Sequence, residues 1–215
     1  MAKIKQGILG GFSGKVASLV GTSWKGRAVM KSLPLSVANP RTESQVGQRN
    51  KFSKVAELAS QILTQFVQPV ENPISGNISG YNLFCKDNKA AFDAAGDLVA
   101  ANLCAGGGKI INLETPSVDA QGDDNKVLLQ WTNSEAISAL RLTDKVFAFA
   151  IDETSGAVFV TSGTSTRNDE SAMLYGVSDS AKITNAGKVA VVFACVSADG
   201  RDVSVKTFAV EETAA

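Results

Sequence analysis

The sequence predicts an α+β chain with an amino-terminal β-ribbon over residues 1–38, a helical hairpin over 39–105 and a carboxyl-terminal immunoglobulin-like β-sandwich over 109–215. Three observations carry this. Six glycines crowd residues 7–26, apolar residues recur at helical spacing between Val55 and Val67, and the stretch after Ala105-Gly106-Gly107-Gly108 alternates short apolar runs with turn signals.

Gly7, Gly10, Gly11, Gly14, Gly21 and Gly26 would each lose backbone entropy in a helix, so the opening segment reads as extended. Strands are expected at 15–20 and 23–31, with Gly21-Thr22 turning a hairpin between them. Val16, Leu19, Val20, Trp24, Val29 and Met30 are set among Gly, Ala and Ser, which makes a thin ribbon. A two-stranded ribbon is marginal alone in water and needs a surface to lie on.

Asn39-Pro40-Arg41-Thr42-Glu43-Ser44-Gln45 reads as a helix start, with Thr42 and Gln45 exchanging side-chain to backbone hydrogen bonds in a capping box. Val55, Leu58, Ala59, Ile62, Phe66 and Val67 then define one face until Pro69, where the helix is expected to end. Pro73, Gly76 and Gly80 loosen the next stretch. A second helix follows, with Tyr81, Phe84, Cys85, Phe92, Ala95, Leu98, Val99 and Leu103 on one face, packed antiparallel to the first.

Beyond the glycine triplet, strands are expected at 110–113, 126–131, 145–151, 157–161, 171–177, 188–197 and 203–210, with turns at Thr154-Ser155-Gly156 and Ala198-Asp199-Gly200-Arg201. Trp131 ends its strand in the manner of a sandwich core aromatic, although no cysteine pair brackets it.

The chemistry-bearing residues point away from catalysis. The chain has no histidine, which removes the usual general base and the commonest metal ligand. Cys85, Cys104 and Cys195 are too widely spaced for a zinc site or a disulfide framework and read as small buried apolar residues. The pairs Asp123-Asp124, Asp152-Glu153 and Asp169-Glu170 read as solvated turns, because adjacent side chains on an extended chain point to opposite sides. The oxygen-rich stretch 119–125 lacks the spacing of a calcium loop. In GGFSGK, Gly14-Lys15 is followed by Val16 and the position five before Gly14 is Leu9, so it does not form a phosphate loop. No catalytic residue, metal or cofactor is assigned. No apolar run approaches the roughly 20 residues of a membrane helix, and the first residues lack a secretory signal. The expectation is synthesis in the cytoplasm, with a virion or extracellular assembly as the final location.

Charge supplies the functional clue. The formal net charge is zero, yet residues 1–113 carry thirteen Lys and Arg against six Asp and Glu, and residues 114–215 carry eight against fifteen. Such a division attracts either nucleic acid or the acidic part of a neighbouring copy. The reading is a non-enzymatic, self-assembling structural subunit, a head-to-tail homo-oligomer joined through its basic arm and an acidic sandwich. Phe12, Lys15, Trp24, Lys25, Arg27, Asn39, Arg41, Gln45, Arg49 and Phe52 are assigned to the contact. The alternatives are a nucleic-acid-binding structural protein, in which Phe12, Trp24 and Phe52 would stack bases among the basic residues, and a surface adhesion module using the sandwich loops. No helix-turn-helix, RNA-binding sheet or zinc motif accompanies them.

The opening GILGGFSGKVASLVGTSWKGRAVMKSLP with the later NPRTESQVGQRNKF resembles a family of uncharacterised bacterial proteins of about this size, specifically over residues 7–52. The resemblance implies no established activity. The Asn-Pro-Arg-Thr element is similar to those of some phage-associated proteins, which implies a phage virion or a phage-like tube or fibre, with other virion or fibre proteins as partners. Carried over by position, the motif residues are Gly7, Gly10, Gly11, Phe12, Gly14, Lys15, Val16, Trp24, Lys25, Gly26, Asn39, Pro40, Arg41, Thr42, Gln45, Arg49 and Phe52. Gly47 stands where a helix former is expected, at a cost of about 1 kcal/mol in propensity.

Overall fold

A computed structural model describes residues 3–4, 11–24, 27–36, 39–120, 125–133, 141–184 and 187–213. The chain divides into two compact units, residues 1–41 and 42–215. The helical segment expected over 39–105 and the β segment over 109–215 therefore fall, but for the first three residues, in one unit.

The first unit is a four-stranded antiparallel sheet, with β1 (Lys3–Ile4), β2 (Phe12–Val16), β3 (Leu19–Trp24) and β4 (Arg27–Ser32) in sequence order. The sheet has more strands than the expected hairpin, and its turn is elsewhere. Ala17-Ser18 joins β2 to β3, with Ala17 at φ 48°, while Gly21-Thr22 lies inside β3. Gly21 serves close approach instead of turning. A β-carbon there would stand 2.2 Å from the Phe12 carbonyl oxygen and 2.6 Å from its ring.

The second unit begins with α1 (Glu43–Gln61). Thr42 is its N-cap in extended conformation but makes no side-chain capping bond, so the expected box with Gln45 does not form. Both side chains are exposed, where water can serve the same groups. Gly47 is buried against Ala94, whose Cβ would lie 3.0 Å from an added β-carbon, which accounts for the missing helix former. Val55, Leu58, Ala59, Ile62, Phe66 and Val67 are all buried, as their spacing predicts. Pro69 does not end the helical path. A wider π-helical turn, Leu63–Val67, precedes it, and the chain continues through α2 (Gln68–Glu71) to a 3-10 turn, Asn72–Ile74.

The second helix is shorter than predicted: α3 spans Gly80–Asp87 only. Side chains acting on the backbone stop it. The buried Asn88 amide donates to the carbonyls of Phe84 (3.1 Å) and Cys104 (2.9 Å), and its oxygen accepts from Cys104 N–H at 2.8 Å. The Asp93 carboxylate then gathers the N–H groups of Ala95, Gly96 and Asp97 at 2.8–2.9 Å. Phe92, Ala95, Leu98, Val99 and Leu103 therefore belong to loops and short turns beyond α3.

Seven strands form a single antiparallel sheet in the order β13-β11-β8-β9-β10-β7-β6, from β6 (Glu114–Ala120), β7 (Lys126–Thr132), β8 (Lys145–Asp152), β9 (Val158–Thr161), β10 (Ser171–Gly176), β11 (Lys188–Val196) and β13 (Val210–Thr213). Its end strands β13 and β6 approach one another, so the sheet is nearly closed and barrel-like. This replaces the expected two-layered immunoglobulin-like sandwich. A small two-stranded sheet pairs β5 (Cys104–Ala105) with β12 (Thr207–Phe208). The strand expected at 203–210 is thus divided between two sheets. At 110–113 only Ile110 makes a bridge, to Ser204. β6 falls outside the expected strands because Pro116 argues against a strand in the sequence; as an edge strand it tolerates the proline and the register shift between Glu114 and Ser117.

The central strands β8 and β11 are buried on both faces. Phe147, Phe149 and Ile151 join Val192 and Ala194 in a core with Phe66 and Phe84 from the helices. The Phe66 and Phe149 rings meet edge to face, with centroids 4.6 Å apart. Val146, Ala148 and Ala150 join Val191, Phe193 and Cys195 in the other core, with Leu129, Trp131, Phe159 and Leu174. Burial on both sides explains why these strands read as unbroken apolar runs with no polar alternation.

Candidate functional site

The pairing register gives the ribbon two unlike faces. Lys15 lies opposite Val20, Val20 opposite Lys31, Thr22 opposite Val29 and Trp24 opposite Arg27. Residues directly opposite share a face, and alternate residues along a strand return to it. One face therefore carries Lys15, Trp24, Arg27 and Lys31 together with Val20 and Val29. The other carries Phe12, Val16, Leu19, Gly21 and Met30 and has no charge among these residues. Trp24 is 63% exposed and Met30 67%, so both faces present apolar surface. The first unit also holds Lys3, Lys5, Lys15, Lys25, Arg27, Lys31 and Arg41 and no Asp or Glu, a charge of +7, which leaves −7 on residues 42–215. Residues 42–113 carry six Lys and Arg against six Asp and Glu, so the asymmetry read between residues 1–113 and 114–215 has the same size across the boundary between units.

Of the residues assigned to the contact, Lys15, Trp24 and Arg27 share the basic face. Phe12 does not: it is half-buried on the opposite face, its ring against Gly21. Lys25 lies outside the described residues, as do Gly7, Gly10 and Gly26 of the motif and the acidic pair Asp123-Asp124. Asn39 and Arg41 are exposed in the first unit. Gln45, Arg49 and Phe52, at helical spacing, share an exposed face of α1 in the second unit. Val29 and Lys31 were missed, although the alternation Arg27, Val29, Lys31 is legible in the segment RAVMKS.

Within the second unit, a cleft of about 460 Å³ lies between α1, the segment 92–98 and the β8–β9 hairpin. Its apolar lining includes Leu58, Phe92, Leu98, Ile151 and Val158, and its acidic residues are Glu57, Asp97, Asp152 and Glu153. Lys54 also lines it and pairs with Glu57 at 3.2 Å. Two carboxylates brace the loops around it. Asp93 holds the 93–97 turn, and its pKa is lowered by the Asp97 N–H bond foremost. Buried Asp152 accepts from Thr154 N–H (3.0 Å), Ser155 Oγ (2.7 Å), Thr184 N–H (2.8 Å) and Thr184 Oγ1 (2.6 Å). Burial raises its pKa, but the bonds from Thr184, Ser155 and Thr154 outweigh it and hold the carboxyl below its ordinary range. Glu153 is shifted the other way, by burial and then by repulsion from Glu211. Asp152-Glu153 is therefore one structural and one cleft-facing carboxylate.

Three buried ionisable groups, Arg167, Asp144 and Glu71, are not legible in the sequence because their partners are distant along the chain. Arg167, 1% exposed, donates from Nη1 to the Asn112 carbonyl at 3.3 Å and from Nη2 to the Ile111 carbonyl, and its Nε is 3.8 Å from Asp144 Oδ2. Trp131 Nε1 donates to the Arg167 carbonyl at 3.0 Å. Burial raises the Asp144 pKa, against the pull of Arg141 and Arg167. Glu71 accepts from Gly106 N–H at 3.2 Å through Oε1, while burial lifts its pKa to about 7. The three cysteines are free and buried, in keeping with their reading as apolar residues, and burial pushes the Cys195 thiol up to about 12.

A family model described as a family of unknown function, DUF6266, matches residues 11–209. No curated protein matches at a significant level. One solved structure, titled "Myokine structure", is 12% identical, with the match covering 50% of this chain and 99% of that one at a TM-score of 0.33. A likeness of that degree carries no argument. The family match takes in most of the ribbon and nearly all of the larger unit, and the chain belongs to this family of unknown function, DUF6266.

Proposed function

We propose that the chain is a non-enzymatic, self-assembling structural subunit whose basic ribbon docks on the acidic unit of a neighbouring copy. One observation supports it above the others: a compact unit with seven cations and no carboxylate is joined to one with a charge of −7. Opposite net charges on two surfaces of the same chain favour heterologous contact, which closes into rings or continues as filaments. Exposed Trp24 supplies the kind of aromatic anchor that concentrates binding energy at interfaces. The setting in a phage virion, tube or fibre rests on the amino-terminal motif alone. Analytical ultracentrifugation of the full chain and of residues 42–215 tests the proposal. The full chain is expected to sediment as a multimer and the shorter chain as a monomer; a monomeric full chain at high concentration and low salt contradicts it.

A second reading has its own support. Trp24 among Lys15, Arg27 and Lys31 on one strand face has the composition of a surface that stacks bases and contacts phosphates. Binding of single-stranded DNA that weakens steeply with salt, by a full chain that stays monomeric, would favour it.

A further inference from the structure

We infer that the basic face of the ribbon, with Lys15, Trp24, Arg27 and Lys31, seats on the cleft between α1, the 92–98 segment and the β8–β9 hairpin of a second copy of this chain. The inference rests on the assembly reading above and names the contact within it.

The two surfaces have inverse chemistry. On the ribbon, Lys15 and Lys31 lie in one cross-strand row through Val20, and Trp24 and Arg27 lie in another. Arg27 and Lys31 are four residues apart on one strand, which sets the rows about 13 Å from each other. An indole is thus flanked on one surface by three exposed cations. The cleft presents Glu57, Asp97 and Glu153 around an apolar floor that includes Leu58, Phe92 and Ile151. Lys54 answers Glu57 in part. Past the cleft, Glu211 on β13 also repels Glu153, and Lys188, which pairs with Glu211 at 3.8 Å, answers the two in part.

An aromatic ring with a polar edge suits a site that is apolar below and charged at its rim. Cations brought to Glu153 would add to the partial relief that Lys188 already gives against Glu211. A second copy is the occupant these features favour, because the first unit has a net charge of +7 with no Asp or Glu and the unit bearing the cleft has −7. Asp93 and Asp152 hold the loops lining the cleft, so the acidic residues stand on fixed backbone before any partner arrives. Preorganisation of this kind lowers the entropy cost of association.

Charge reversal with complementation tests the pairing. Three full-length proteins are compared by light scattering at low salt: the native chain, a ribbon variant (K15E/R27E/K31E) and a cleft variant (E57K/D97K/E153K). All substitutions replace side chains that lie at the surface or line the cleft, and circular dichroism verifies that each variant is folded. The native chain is expected to assemble, each variant to fall to monomer mass, and an equimolar mixture of the two variants to recover the native mass. Recovery is the informative result, since a damaged protein would not be rescued by another.

A cleft variant that assembles like the native chain overturns the inference and leaves the assembly reading standing. A native chain that is monomeric overturns the assembly reading and the inference with it. Two folded monomeric variants whose mixture stays monomeric also overturn the pairing. Loss of binding to a fluorescent single-stranded DNA by the ribbon variant, with its mass unchanged from native, would assign the same face to nucleic acid and overturn the inference in that way.

Discussion

The Phe12 ring lies against the backbone of Gly21, so close that a β-carbon on Gly21 would stand 2.6 Å from the ring. This contact is the ribbon's small core, since most of its other large apolar side chains are exposed.

Gly21→Val is therefore expected to break the ribbon and leave the larger unit intact. Overpacking typically costs 1–3 kcal/mol, a large loss for a sheet with so little buried surface. Hydrogen exchange should show faster exchange in 12–32 with unchanged protection in β8 and β11, and light scattering should show loss of assembly. Unchanged exchange in 12–32 would mean that the Phe12–Gly21 approach does not organise the sheet.

Asp144→Ala is expected to destabilise the second unit by about 3–5 kcal/mol, because it leaves buried Arg167 without its nearby opposite charge. Arg167 also fixes the carbonyls of Ile111 and Asn112. Arg167→Met removes those bonds and leaves buried Asp144 to Arg141, so it should cost a similar amount. Denaturant unfolding measures both, and a loss below about 1 kcal/mol for Asp144→Ala would show that Arg167 is satisfied without it.

Glu71 should make stability fall as pH rises through neutrality. Its folded pKa, about 7, lies above the ordinary 4.5, so the folded state holds a proton that the unfolded state gives up. The contribution is fully present below pH 4.5 and is lost as pH rises through about 7. Glu71→Gln should flatten that slope and be more stable than the native chain at pH 8, by on the order of 3 kcal/mol. Equilibrium unfolding at pH 5, 6, 7 and 8 checks this, and an equal slope in both proteins would remove Glu71 as its source.

Legibility in the sequence followed the range of the interactions. The spacing from Val55 to Val67 and the apolar runs at 145–151 and 188–197 reported burial that the structure contains, because one-dimensional pattern and local burial correspond. Closure of the sheet was not legible. Apolar runs such as those of β8 and β11 report burial on both faces but not which strands pair, and only the pairing order gives the single, nearly closed sheet. The end of α3 was hidden because Asn88 and Asp93 act through side-chain bonds to backbone, one of them reaching Cys104. The hairpin turn lies at Ala17-Ser18 and not at Gly21-Thr22, because Gly21 serves to admit Phe12 and not to bend the chain.

The candidate site was legible by halves. Trp24, Lys15 and Arg27 stood out by residue type, and the strand period would have added Lys31. The cleft was invisible, since it draws on residues from Lys54 to Val158 that no local motif links.

Whether the +7 ribbon joins one chain to the next is tested most directly by the mass of the full-length protein, measured by light scattering across a salt titration. A charge-driven contact predicts multimers at low salt that dissociate toward monomers as ionic strength rises, since exposed charges are screened within about 10 Å at 0.1 M and about 3 Å at 1 M. A mass that stays monomeric at every salt concentration would show that the ribbon does not join chains.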